Sequence, residues 1–233
     1  MSLTILFEDD QLLIVNKPAT TAIQSANPIE ATLEQEAKLH CANGIWLVHR
    51  IDQPVSGIVL FAKTAEAAAA LSQQFKNRSI NKEYLAFTPK TDLPKEGILV
   101  HYFERYAKNN KTKAYTDNKP GRYQAELSFR KIHATDHYQL LLVKPLTGRQ
   151  HQIRAQLSAA GCPIKGDVKY GARRKNQDRS IHLHAWRLHF LHPTSQLPVQ
   201  ITCEPPQQDV LWNSTKETLQ QLTHPKYLNQ APR

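Results

Sequence analysis

The chain has 233 residues, 40% of them hydrophobic, and a formal net charge of +10. That is apolar material for one sizeable core, in one large domain or two lobes. Three cysteines without a C-x-x-C pair argue against a disulfide framework or a zinc knuckle. Together with the absence of a signal pattern or a long apolar run, they predict a cytoplasmic protein with no membrane partner.

Residues 1–40 carry Lys17 and Lys38 against Glu8, Asp9, Asp10, Glu30, Glu34 and Glu36, a balance of −4, so the remainder totals +14. A basic body beside an acidic edge suggests a polyanionic partner, nucleic acid before all others. Ile5-Leu6-Phe7 and Leu12-Leu13-Ile14-Val15 read as strands joined by the acidic turn Glu8-Asp9-Asp10, with Asn16-Lys17-Pro18 ending the second. A helix is expected over residues 32–40. The apolar run 57–63 predicts a strand buried on both faces. Thr64 is placed to cap an Ala-rich helix over 65–75, and 82–87 reads as the next strand. The polar, basic stretch 104–123 carries Arg105, Lys108, Lys111, Lys113, Lys119 and Arg122 with interleaved tyrosines, and reads as an exposed loop or hairpin. A strand over 138–143, a helix over 151–160 stopped by Gly161, and an alternating strand over 180–190 follow. Pro205-Pro206, a short helix and a polar tail end the chain. Strands are many and helical crossovers few. The expected fold is α+β: a large mixed, mainly antiparallel sheet with flanking helices and loops.

Four segments can carry chemistry. His49-Arg50-Ile51-Asp52-Gln53-Pro54-Val55-Ser56-Gly57 sets a carboxylate beside two potential cations in a turn entering a buried strand. Asp52 is there either for catalysis or to accept backbone N–H groups. Thr147-Gly148-Arg149-Gln150-His151-Gln152-Ile153-Arg154 opens a helix whose N-terminus suits an anion. Arg149 and Arg154 are five apart, so one can face a polyanion while the other faces inward. Lys82-Glu83-Tyr84-Leu85-Ala86 puts Lys82 and Tyr84 on one strand face, with Tyr84 as core or as site. The glycine-rich stretch 161–171 reads as a fixed structural loop that includes Asp167 and leads into the basic Arg173-Arg174-Lys175. His182-x-His184 lacks a nearby third ligand, so no metal site is expected. No nucleotide-binding glycine loop is present, so no nucleotide cofactor is expected.

Together these segments resemble the RluA-type family of RNA pseudouridine synthases. His49-Arg50-Ile51-Asp52 with Ser56-Gly57, Lys82-x-Tyr84-x-Ala86 and Thr147-Gly148-Arg149-x-His151-Gln152-Ile153-Arg154 carry the likeness. Gly161-x-Pro163-Ile164-x-Gly166-Asp167-x-x-Tyr170-Gly171, Leu183-His184-Ala185, His192-Pro193 and Asn16-Lys17-Pro18 add to it. Ile51 stands where the family usually has Leu, Val55 where Thr is common, and Gln156 for a frequent His. The stretch Ala19-Thr20-Thr21-Ala22 lacks the family's glycine.

The resemblance implies one catalytic domain over residues 1–233, bilobed around a central cleft. Its core would run from about residue 5 to 206, with an extension over 207–233. The small RNA-binding domain that many relatives carry ahead of the core would be missing. It implies a cofactor-free isomerisation of uridine to pseudouridine in ribosomal or transfer RNA; the alternative is a non-catalytic RNA-binding protein on the same fold. Asp52 would be the essential carboxylate, attacking C1′ or C6 or removing a 2′ proton. Arg154 would pair with it and favour its ionised form. Tyr84 would stack on the uracil and accept the C5 proton late, a poor base unless its surroundings help. His49, Arg50, Arg149, His151, Gln152, Leu183, Arg173 and Arg174 would contact substrate. The basic loops at 105–122 and 173–179 would grip the RNA backbone. The expected protein is a monomer.

Overall fold

The computed structural model describes residues 3–27, 29–42, 44–106 and 110–223. Eleven strands form one sheet in the order β1-β2-β4-β10-β5-β9-β8-β6-β7, with β11 beside β10 and β3 beside β4. Every strand pair is antiparallel except β4 with β10. The mainly antiparallel α+β expectation therefore holds.

β1 (Thr4–Glu8) and β2 (Leu12–Lys17) are joined by the acidic turn. There Asp9 Oδ1 accepts from the N–H groups of Gln11 and Leu12, both at 2.8 Å, so this carboxylate serves the turn itself. Helix α1 (Leu33–His40) starts at Thr32, whose hydroxyl and the Gln35 side chain cap each other's backbone N–H, the reciprocal box that satisfies two orphan donors. β3 (Trp46–Leu47) is short. β4 (Ser56–Ala62) is buried at all seven positions, as its unbroken apolar run requires. Thr64 caps α2 (Ala65–Lys76) by accepting from Ala67 N–H. β5 (Asn81–Pro89) and β9 (Tyr138–Pro145) lie together in the middle of the sheet. The basic stretch is a hairpin arm: β6 (Glu96–Tyr106) pairs with β7 (Lys111–Tyr115) and with β8 (Tyr123–Ala134). Lys108 lies outside the described residues. Helix α3 (Gln152–Ala159), β10 (Leu183–Leu191), β11 (Pro198–Thr202), α4 (Val210–Asn213) and α5 (Lys216–Thr223) complete the chain.

Two main hydrophobic clusters pack on the sheet. The larger gathers β2, β4, α1 and α2 around Leu13, Val15, Val59, Phe61 and Leu71. The second joins Leu85, Phe87, Leu140, Leu142 and Trp186 to Trp212 and Leu219 of α4 and α5. Helices α4 and α5 thus pack against the sheet. Trp212 stacks on His182 at 5.5 Å between ring centroids.

Burial lowers the pKa of six histidines. His49 and His184 fall to about 4, and His101, His151, His182 and His189 shift in the same direction. The unfolded chain binds protons at these positions below its ordinary histidine range, near 6.5, while the folded chain does not. Stability from these groups is complete above about pH 6.5 and is lost as pH falls toward about 4. Urea unfolding at stepped pH should give a midpoint that drops steadily across that window. A midpoint flat from pH 6.5 to 4.5 would contradict the buried neutral histidines.

Candidate active site

The one parallel seam of the sheet, β4 against β10, places the site. Ser56 and Gly57 lie opposite His184 and Ala185. At Gly57 φ is +112°, and a Cβ would collide with the Ala185 carbonyl, so only glycine fits. Ser56 Oγ lies 2.8 Å from His184 Nδ1, and His184 Nε2 lies 2.9 Å from the Cys203 carbonyl. His182 contacts Asp209 (3.1 Å) and Asn176 (3.0 Å). The nitrogens of His182-x-His184 are therefore engaged in packing.

The loop before β4 carries Asp52 and is tied down at consecutive residues. Val55 N–H donates to the Asp52 carbonyl at 3.0 Å, Thr20 N–H to Gln53 at 2.8 Å, and Ile181 N–H to Pro54 at 3.1 Å. Lys17, fully buried, donates from Nζ to the carbonyls of Pro18 (2.9 Å), Thr21 (2.9 Å) and Gln53 (3.0 Å). Burial pulls this ammonium down to about 7, with the negative charge of Asp52 acting the other way. Thr20 sits at φ +70°, left-handed backbone that suits glycine and costs a β-branched residue. The segment lacking the family's glycine keeps the conformation that glycine would favour.

Arg154 reaches the same place from α3 and is only 5% exposed. Its Nη1 donates to Asp52 Oδ2 at 2.8 Å. Its Nε and Nη2 donate to the two oxygens of Asp167 at 2.7 and 2.9 Å. Burial alone would lower the arginine's pKa; Asp167 first and Asp52 second more than offset it, and the net shift is upward. The Tyr170 ring covers the guanidinium at 4.9 Å. His151, the left-handed N-cap of α3, contacts Tyr170 Oη at 2.8 Å and stands 3.8 Å from Asp52 Oδ2. Both neighbours address Oδ2, so Asp52 Oδ1 has no protein partner among the described residues and is the oxygen left for a ligand.

These groups border a cleft of about 310 Å³. Tyr84, Lys82, Leu183, His49, Arg50, Arg149, His151 and Gln152 line it with Asp52 and Arg154. Arg149 and Arg50 are exposed and Arg154 is buried, the outward and inward split that their spacing allowed. His49 stacks on Phe75 at 5.2 Å. Gln152 lines the cleft, but its Oε1 accepts from Thr147 Oγ1 (2.7 Å) and Arg149 N–H (3.0 Å), and its Nε2 donates to the Glu126 carbonyl (2.9 Å). It shapes the entry turn with its own amide already used.

The Tyr84 phenol does not have the help a base needs. Burial, then the negative charge of Asp52, raise its pKa above the ordinary value, so the phenol is neutral in the resting site. Arg173 and Arg174 are exposed and are not part of the cleft lining. In the hairpin, Arg122 is occupied by Asp117 at 2.6 Å and by the Tyr115 ring at 3.5 Å. Thr112 of β7 donates from its N–H to Tyr170 Oη (3.0 Å) and from its hydroxyl to the Gln150 carbonyl (3.0 Å), so this arm braces the helix that carries Arg154.

Two positioning residues were not recognised in the sequence. Asp167, read as part of a structural loop, is 1% exposed and is the bidentate partner of Arg154. Lys17, read as the end of a strand, ties down the loop of Asp52. Their signal was the charge itself, an acid between Gly166 and Val168 and a lysine after an apolar run.

Comparisons with known proteins identify the family. A family model described as RNA pseudouridylate synthase matches residues 11–159. This chain belongs to the RNA pseudouridylate synthase family. It is 30% identical over 224 residues to a protein of Haemophilus ducreyi named tRNA pseudouridine synthase C, covering 87% of this chain and 90% of that one. It is 33% identical to a Zymomonas mobilis protein named ribosomal large subunit pseudouridine synthase D, covering 88% of this chain and 70% of that one. Among solved structures, the human RNA pseudouridylate synthase domain containing 1 superposes with a TM-score of 0.72 at 26% identity, covering 88% of this chain and 84% of that one. The enzyme is an RNA pseudouridine synthase: an isomerase that converts uridine in RNA to pseudouridine.

Replacing Asp167 by Asn leaves a buried guanidinium short of one countercharge, a change of the kind that costs about 3–5 kcal/mol. Thermal unfolding should show that loss. Single-turnover rates at saturating RNA should fall at least tenfold, with RNA affinity little changed. Wild-type rates from this variant would show that Arg154 needs no second carboxylate.

Proposed function

We propose that Asp52 is the essential carboxylate of a uridine isomerisation in ribosomal or transfer RNA, with Arg154 as its fixed partner and Tyr84 as the face against the uracil. The observation that carries this is the 2.8 Å contact of Arg154 Nη1 with Asp52 Oδ2 in a cleft that Tyr84 also lines. The reaction breaks the N1–C1′ bond, turns the base and joins C5 to C1′. C5 loses a proton, N1 gains one, and the composition of the nucleotide is unchanged. No oxidant, reductant or group donor is consumed, so the chemistry calls for no cofactor.

A base stacked in folded RNA has to leave its stack before a carboxylate can reach its sugar or ring. The apolar wall of Val48, Ile51, Val55 and Leu183 gives the extruded uracil a dry seat. Arg50, exposed at the rim, is placed to fill the vacated stack or hold a flanking phosphate. His49, Arg149 and His151 line the same space and complete the contact set. Burial lowers the His151 pKa against the pull of Asp52, so at neutral pH this imidazole adds no competing positive charge beside Arg154. Relatives named for transfer RNA and for the large ribosomal subunit support both substrate classes. In this reading the protein acts as a monomer and residues 1–233 form one catalytic domain; its three free, buried cysteines support a reducing, cytoplasmic setting.

Incubating wild type and Asp52→Ala with unmodified cellular RNA and mapping pseudouridine tests this. Wild type should modify discrete sites and the variant none. Activity surviving in the variant, or no modification by wild type of any RNA from its own organism, would overturn the assignment. Tyr84→Ala should lower kcat/KM by about fivefold or more, since base stacking on an aromatic face contributes about 1–3 kcal/mol; an unchanged kcat/KM would remove Tyr84 from the site.

A further inference from the structure

A second depression, of about 1020 Å³, adjoins the rim of the cleft. Lys82, Thr147, Gly148 and Arg149 line both, so one surface runs unbroken from the cleft of Asp52 into this groove. Residues of β5, β8, β9 and β10 form its floor, and Leu222 of α5 is part of its wall. It is thus built from the sheet and the start of β5, not from the two basic loops that the sequence pointed to.

Its charge is strongly one-sided: seven Lys or Arg residues line it against two Glu. One of those acids is already taken, since Glu83 pairs with Lys144 at 2.7 Å and Arg187 at 3.4 Å. Lys76, Arg78 and Arg130 are exposed and have no carboxylate partner among the described residues. Arg78 follows the cap of α2 at φ +59°, the left-handed position where helices usually place glycine. A cation is kept there at a conformational cost of about 1 kcal/mol. Two buried donors among the lining residues, Trp186 Nε1 and Arg187 Nε, have no partner among the described residues. Both atoms are covered and Trp186 is fully buried, so its ring is no stacking platform for bases, and what the groove presents outward is the charge of Lys76, Arg78 and Arg130. That combination recognises phosphate and backbone, not base sequence.

We propose that this groove is a backbone track: it holds the phosphates of the RNA stem flanking the nucleotide in the cleft. The inference rests on the RNA-modifying reading, and it assigns affinity for structured RNA to a surface separate from the catalytic groups.

The test is filter binding of unfractionated transfer RNA across a salt series, with wild type, the triple variant K76Q/R78Q/R130Q and the reverse variant Ser128→Lys. Each lost phosphate contact lowers the slope of log affinity against log salt by about 0.7–0.9. The triple variant should lose about 2–3 in slope and at least tenfold in affinity near 0.15 M salt. Its pseudouridine-forming rate at saturating RNA should be unchanged. Ser128→Lys, which adds a cation to the groove, should tighten binding and steepen the slope by about one. Wild-type slope and affinity in the triple variant, with no gain from Ser128→Lys, would overturn the proposal. A wild type that binds RNA with the expected charge dependence but forms no pseudouridine would leave the track standing and sink the catalytic reading instead.

Discussion

One buried guanidinium holds this site together. Arg154 lies between a carboxylate that solvent scarcely reaches and one that faces a cleft. Asp167 takes two of its donors side-on, which fixes the plane of the group and leaves Nη1 aimed at Asp52. Burying an arginine with a single carboxylate offers uncertain gain, because desolvation rivals the Coulomb attraction. The arrangement makes sense as positioning. The inner acid anchors the cation, and the anchored cation orients the outer acid. The Tyr170 ring closes the exposed face of the guanidinium, and the hairpin arm supports Tyr170 through Thr112.

The rest of the fold serves this constraint from the other side. Asp52 precedes the strand that makes the only parallel pairing among the described residues, and the close approach at Gly57 sets where that strand begins. Lys17, the strained turn at Thr20 and the Pro54–Ile181 bond fasten the loop from three directions. Carboxylate and guanidinium, 102 positions apart in sequence, therefore meet on two separately braced elements. A rigid meeting of this kind lets oriented groups lower a barrier without reorganising during the reaction.

Much of the central sheet was legible because its signals are local. The run Gly57-Ile58-Val59-Leu60-Phe61-Ala62 suggested a strand buried on both faces, and Thr64 before an alanine-rich stretch suggested a cap, and both are found. β6 was missed because Ile98-Leu99-Val100 puts apolar side chains on both faces, and Ile98 and Val100 remain exposed at 62% and 42%; β8 was missed although Ala125, Leu127 and Phe129 alternate with polar residues and are buried. Asp52, Tyr84 and Arg154 were visible through their motifs. Asp167 and Lys17 also stand in motifs, but their roles were not legible, because a buried charge looks in sequence like any surface charge until its partner is known. Arg173 and Arg174 were the converse case, a conspicuous basic cluster that the fold leaves outside the cleft. The charge that does adjoin the site is divided between the end of α2 and strands distant in sequence, so a local count finds only part of it.

The most direct test of the account is a crystal structure of the protein bound to a uridine-containing stem-loop. It should show the target uracil out of its stack and against Tyr84, with Asp52 Oδ1 about 3–3.5 Å from the sugar or ring atom it acts on and Oδ2 still held by Arg154. A target nucleotide seated elsewhere, or an Asp52 released from Arg154 when RNA is bound, would contradict it.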